Sequence, residues 1–132
     1  MLDPDLLHFV RTAVRSIWAL EVLLLLRRKA PVALTADEIV LALRASPTLV
    51  GRILDQLVDQ GLVQRHASGA FRFECASPDL AKLCEALDLA AQDRPIALRD
   101  AIASSPNEKL RNFSDAFRLN PGKGPKDGED QE

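Results

Sequence analysis

A mainly α-helical fold with a small β-hairpin is what this sequence predicts, and three observations predict it. Aromatic residues make up 5% of the chain against 47% hydrophobic residues, and leucine and alanine dominate, a balance that favours helices packed through aliphatic side chains. Apolar residues recur at helical spacing along most of the chain. Two short segments, Leu62 to His66, which reads as a strand, and Phe71 to Cys75, which alternates, flank the turn-forming Ala67-Ser68-Gly69-Ala70, which is the pattern of a hairpin. At 132 residues the chain fits one domain with one sizeable core.

The first helix opens at Asp3-Pro4, a capping side chain followed by a residue whose missing N–H costs nothing at the first helical position. Leu6, Leu7, Val10, Val14, Ile17, Trp18 and Leu20 then keep helical spacing, and Val22 to Leu26 is apolar all round, as expected where a helix enters a core. One long helix is therefore expected from Pro4 to the basic run Arg27-Arg28-Lys29, which suits the negative end of the helix dipole, with Pro31 as the stop. Val32-Ala33-Leu34 reads as a short extended stretch. Thr35-Ala36-Asp37-Glu38 is a capping box, and the helix it opens ends near Arg44-Ala45.

Ser46 caps the next helix with Pro47 at its first position, and Val50, Ile53, Leu54, Leu57 and Val58 form its buried stripe. Gly61 ends it in the left-handed conformation open to glycine, and the hairpin follows. Ser77-Pro78 starts a helix to about Ala91 carrying Leu80, Leu83, Cys84, Leu87 and Ala91. Arg94-Pro95 begins a shorter helix, and Ser105-Pro106 a last one with Leu110, Phe113 and Phe117 aligned. Residues 1–119 are read as one unit, and 120–132, rich in glycine, proline and charge with no apolar residue, as a disordered tail.

Short helix, turn, capped helix, hairpin: this order is a helix-turn-helix followed by a wing. The stretch from Ser46 to Arg65 resembles the recognition helix and first wing strand of MarR-type winged-helix regulators, through Ser46, Thr48, Arg52, Asp55, Leu57, Gly61, Leu62, Val63 and Arg65. With its flanking elements the resemblance covers about residues 17–75. One departure stands out: the acidic-x-basic motif typical of that family's wing is absent, and Ser68-Gly69-Ala70-Phe71-Arg72 occupies its place. The resemblance implies a DNA-binding transcription regulator of bacterial type, not an enzyme, whose recognition helix enters the major groove while the wing meets the backbone.

The residue chemistry names the contacts expected on double-stranded DNA. Arg52 has the planar donors to read guanine O6 and N7; Ser46, Thr48 and Gln56 share the exposed face with it; and Arg65 and Arg72 on the hairpin suit phosphate. An intrahelical pair of Arg52 with Asp55 or Gln56 is the structural alternative. Without the last eleven residues the chain is electrically balanced, so DNA binding has to rest on a local patch. The same neutrality supports a rival: a winged-helix protein-interaction module, an adaptor or anti-regulator that does not bind DNA.

The terminal helices, with apolar faces that call for a partner, are read as the interface of a homodimer presenting two recognition helices to one palindromic site. Catalytic, cofactor and metal sites are not expected: Ser, His and Asp fall into no catalytic motif, glycines form no phosphate loop, and His8, His66, Cys75 and Cys84 lack the spacing of structural zinc ligands. Two cysteines are too few for a disulfide scaffold and are read as reduced thiols. Apolar runs such as Val22 to Leu26 are far shorter than the ~20 residues of a membrane span, and a cytoplasmic location without membrane contact is expected.

Overall fold

The computed structural model describes residues 2–103. The helix expected from Ser105-Pro106 and the tail from Asn120 lie outside them. Helix α1 (Pro4–Phe9) starts as read, with the Asp3 carboxylate accepting the Asp5 N–H at 3.0 Å, and passes into a π-helical turn at Val10–Val14. There the single long helix fails to continue. Arg15 adopts a left-handed conformation at φ 72°, and Ser16 is extended, its Oγ accepting the Ala19 N–H at 3.1 Å. Ser16 is the physical reason, because a serine hydroxyl serves the backbone better as a cap than inside a helix. It begins α2 (Ile17–Lys29) as a separate helix.

The break redirects α1 onto α5 (Pro78–Asp93). Leu2, Leu6 and Phe9 are buried there, so the N-terminal apolar stripe that called for a partner is covered largely within its own chain. Helix α2 is the centre of the molecule: Val22, Leu23 and Leu26 are fully buried, packed by α3 (Ala36–Leu43), α4 (Pro47–Asp59) and α6 (Pro95–Ala103).

The hairpin strands β2 (Val63–Arg65) and β3 (Ala70–Phe73) pair antiparallel, Gln64 opposite Arg72 and Arg65 opposite Phe71. The stretch read only as extended contributes a third strand, β1 (Leu34–Thr35), on the far edge of β3, giving the order β1-β3-β2. Two residues of strand are too few to signal their partner in the sequence. Gly61, at φ 77°, turns α4 into β2, and an added Cβ there would lie 3.1 Å from the Ala76 Cβ. The left-handed conformation favours glycine there, and any side chain would in addition press on Ala76.

One polar contact locks α5 to α2. Asp88 is 4% exposed, and its two oxygens accept from Arg27 at 2.6 Å and Arg28 at 2.7 Å, with Gln92 donating at 3.2 Å. Burial alone would raise the Asp88 pKa, but the hydrogen bonds from Arg28, Gln92 and Arg27 outweigh it and hold the carboxyl below the ordinary carboxylate range. The unfolded chain therefore takes up this proton first. The stabilisation is complete above about pH 4, the ordinary carboxylate value, and is lost as pH falls through the lower folded value. Asp88→Asn is expected to cost about 1–3 kcal/mol at neutral pH, and urea titrations of both proteins should show the gap narrowing below about pH 4. A gap that stayed constant with pH would contradict this assignment.

Candidate nucleic-acid interface

Helices α3 and α4 are separated by a short turn whose geometry the caps impose. Thr35 and Glu38 form the reciprocal capping box, at 3.1 Å from the Glu38 N–H to the threonine hydroxyl and 2.8 Å from the Thr35 N–H to the glutamate carboxylate. Arg44 closes α3 in the left-handed region at φ 56°. Ser46 opens α4, its hydroxyl accepting the Leu49 N–H at 3.0 Å, with Pro47 at the first helical position. Two capped ends two residues apart leave the chain no choice of direction between the helices.

The opposite face of α4 fixes what it shows to solvent. Val50, Ile53, Leu54 and Leu57 are buried, Val58 half-buried. Their spacing turns Ser46, Thr48, Arg52, Asp55 and Asp59 outward, with Gln56 half-exposed beside them. The structure thus brings Ser46, Thr48, Arg52 and Gln56 onto one helix face. The Arg52 side chain makes no hydrogen bond or ion pair with any other described residue, and the intrahelical pair with Asp55 does not form, since Asp55 is paired with Arg65.

Asp55 is engaged elsewhere. Arg65 on β2 reaches back to it at 2.6 Å, and the same guanidinium lies over the Phe71 ring, 5.3 Å from its centroid. Residues directly opposite in an antiparallel pair share a face, so Arg65 stands on the Phe71 side of the sheet, toward α4. Arg72 stands on the other side and pairs with Glu74 along its own strand. The two hairpin arginines are therefore not one patch: Arg65 is joined to the face of α4, while Arg72 is set apart from it. Both pairs are solvent-exposed, the kind that contributes about 0–1 kcal/mol to stability, and each arginine remains open to exchange its carboxylate for another anion.

Sequence reasoning passed over Arg44. Its side chain is exposed beside the start of α4 and has no ion-pair partner among the described residues. The available signal was its place two residues before the Ser46 cap, where a helix C-cap meets the next helix. At the hairpin tip the Gly69 N–H donates to the His66 carbonyl at 2.9 Å and the His66 N–H to the Ala70 carbonyl at 2.8 Å, which shapes the turn with small side chains only. No helix among the described residues is long and apolar enough to cross a membrane.

Comparison with known proteins agrees with this geometry. The MarR family model matches residues 16–70, less than half of the chain, from the Ser16 cap to the start of β3. Two crystal structures of MarR from E. coli share the fold. The reduced form matches with a TM-score of 0.50 at 18% identity, covering 89% of this chain and 84% of that one. The wild-type apo form matches with a TM-score of 0.50 at 20% identity, covering 89% and 87%. No curated protein matches.

The division of α4 into a packed and a presented face is open to direct test. Val50→Asp places an unpaired charge in the stripe and is expected to abolish the cooperative thermal transition followed by circular dichroism. Arg52→Ala touches nothing buried and should leave stability within about 0.5 kcal/mol of the parent. Residues 16–70 of this chain are a MarR-like winged helix-turn-helix, set within the fold that MarR itself has.

Proposed function

We propose that this protein is a sequence-specific DNA-binding transcription regulator acting as a homodimer. The observation that carries the reading is Arg52: a cation on the outward face of a helix-turn-helix second helix, with no side-chain partner among the described residues, on a helix whose other face is pinned in the core. The MarR-like match over the same residues supports it, and a regulator of this family is not an enzyme. In this reading α4 enters the major groove, Arg52 reads guanine, and Ser46, Thr48 and Gln56 contact neighbouring base edges or phosphates. Arg65 and Arg72 meet backbone on either side of the hairpin, and Arg44 adds a cation near the helix start.

The dimer reading rests on two kinds of support. Leu89 on α5 and Ile96 on α6 are 54% and 75% exposed, large apolar side chains that water covers at a cost. A twofold assembly would present two copies of α4 to half-sites about one helical turn apart. Light scattering should give twice the chain mass of 14.5 kDa at micromolar concentration. A single-chain mass would remove the dimer without touching the DNA reading.

A protein-interaction role is the competing reading, favoured by Leu41, 79% exposed on α3, and by the exposed Asp55 and Asp59 on α4. Gel shifts on fragmented genomic DNA decide between the two. The parent should retard a subset of fragments, and Arg52→Ala should weaken that specific binding by about 1–3 kcal/mol. Asp55→Asn, which removes a negative charge from the presented face and releases Arg65, should tighten it. No retardation even at low salt, or equal binding by the parent and Arg52→Ala, would turn the assignment toward the protein partner.

A further inference from the structure

The two cysteines, nine positions apart in sequence, meet in space. Cys75 leaves the hairpin just after β3, and Cys84 sits in the second turn of α5; their Sγ atoms are 4.0 Å apart. The Cys75 backbone is fixed on both sides, since the Glu74 N–H donates to the Leu62 carbonyl at 3.2 Å and the Ala76 N–H to the Gly61 carbonyl at 2.8 Å. Cys84 is fully buried, and Cys75 half-exposed. A disulfide bond of about 2 Å requires the sulfurs to close by roughly as much again, within reach of side-chain rotation. One thiol is thus open to a reagent, and the other lies in contact behind it.

We propose that Cys75 and Cys84 are a redox-responsive pair that forms an intrachain disulfide by exchange with a low-molecular-weight disulfide, stitching the exit of the hairpin to α5. Burial pushes both thiols above their ordinary pKa, with the Arg27 charge pulling the other way on each. Both are therefore neutral thiols near pH 7, which slows their attack on peroxide and on disulfides alike, so the pair answers a sustained disulfide pool and not a brief pulse of oxidant.

The steps balance without a metal or further reductant. Cys75 gives its proton to solvent and its thiolate attacks one sulfur of the small disulfide; that S–S bond breaks, and one small thiolate leaves and is protonated. Cys84 then loses its proton, attacks the Cys75 sulfur and expels the second small thiol. Two cysteine thiols are oxidised by two electrons, and one small disulfide is reduced to two thiols. The order follows from access, because Cys84 cannot meet a reagent first.

Oxidised glutathione is the probe, applied to the full chain at graded ratios to reduced glutathione, with acid quenching, alkylation and intact mass measurement. As the ratio rises, the chain should lose the mass of two hydrogen atoms and both alkylation sites together, return fully on dithiothreitol, and yield a peptide linking Cys75 to Cys84. Cys84→Ser should stop at a glutathione adduct on Cys75. The inference is overturned if both cysteines of the parent stay alkylatable at every ratio, if the parent accumulates a stable Cys75 adduct, or if the bond joins two chains. The parent's mass decides this whether or not the variant folds. No DNA enters the assay, so its failure is distinct from a failure of the regulator reading.

Discussion

The run Val22 to Leu26 has no polar face to offer water, and the described fold is arranged around that fact. A helix that is apolar all round has to be enclosed on all sides, and α3, α4, α6 and the sheet supply the enclosure. Each leucine or valine so buried contributes about 1.5–3 kcal/mol relative to exposure. A shell this small cannot close unless every surrounding helix turns its own stripe inward, which in turn sets the outward face of each. The presentation of Arg52 is a by-product of burying Val50, Ile53, Leu54 and Leu57 against that centre.

The elements that local chemistry decides were legible in the sequence. The Thr35–Glu38 capping box, the Ser46-Pro47 start, the α4 stripe and the Gly61 turn all lie where their residues place them, because each depends on contacts within a few positions. The helix-turn-helix and hairpin followed from them. The break at Arg15 and Ser16 was not legible: the apolar spacing from Val14 to Ile17 fits a continuous helix, and only the advantage of a capped restart that lets α1 lie on α5 decides against it. β1 escaped for a similar reason, since two residues carry too little pattern to name β3 as their neighbour.

Long-range pairing accounts for the rest. Arg27-Arg28-Lys29 reads as a favourable helix terminus, yet two of its charges are committed to Asp88, sixty positions away on α5. Cys75 and Cys84 fit no ligand spacing as a string, and only the return of the chain from β3 into α5 brings them together. The two hairpin arginines looked equivalent by composition. The register Arg65 opposite Phe71 and Gln64 opposite Arg72 separates them onto two faces, and no count of charges contains that distinction.

The pairing of Arg65 with Asp55 bears on how binding would respond to ions. An unpaired surface cation that meets phosphate releases small ions condensed on the nucleic acid, and this release is what makes affinity fall with added salt. Arg65 carries its own anion, built into the facing helix, and a phosphate that takes its guanidinium sets free a carboxylate that must recruit a small cation again. On the proposed reading, its contact exchanges one neutralised pair for another and adds little to the salt dependence, while Arg52 and Arg44 contribute theirs in full. The hairpin arginine nearest the recognition helix would then serve orientation, and the ionic sensitivity of the complex would be set from the helix-turn-helix.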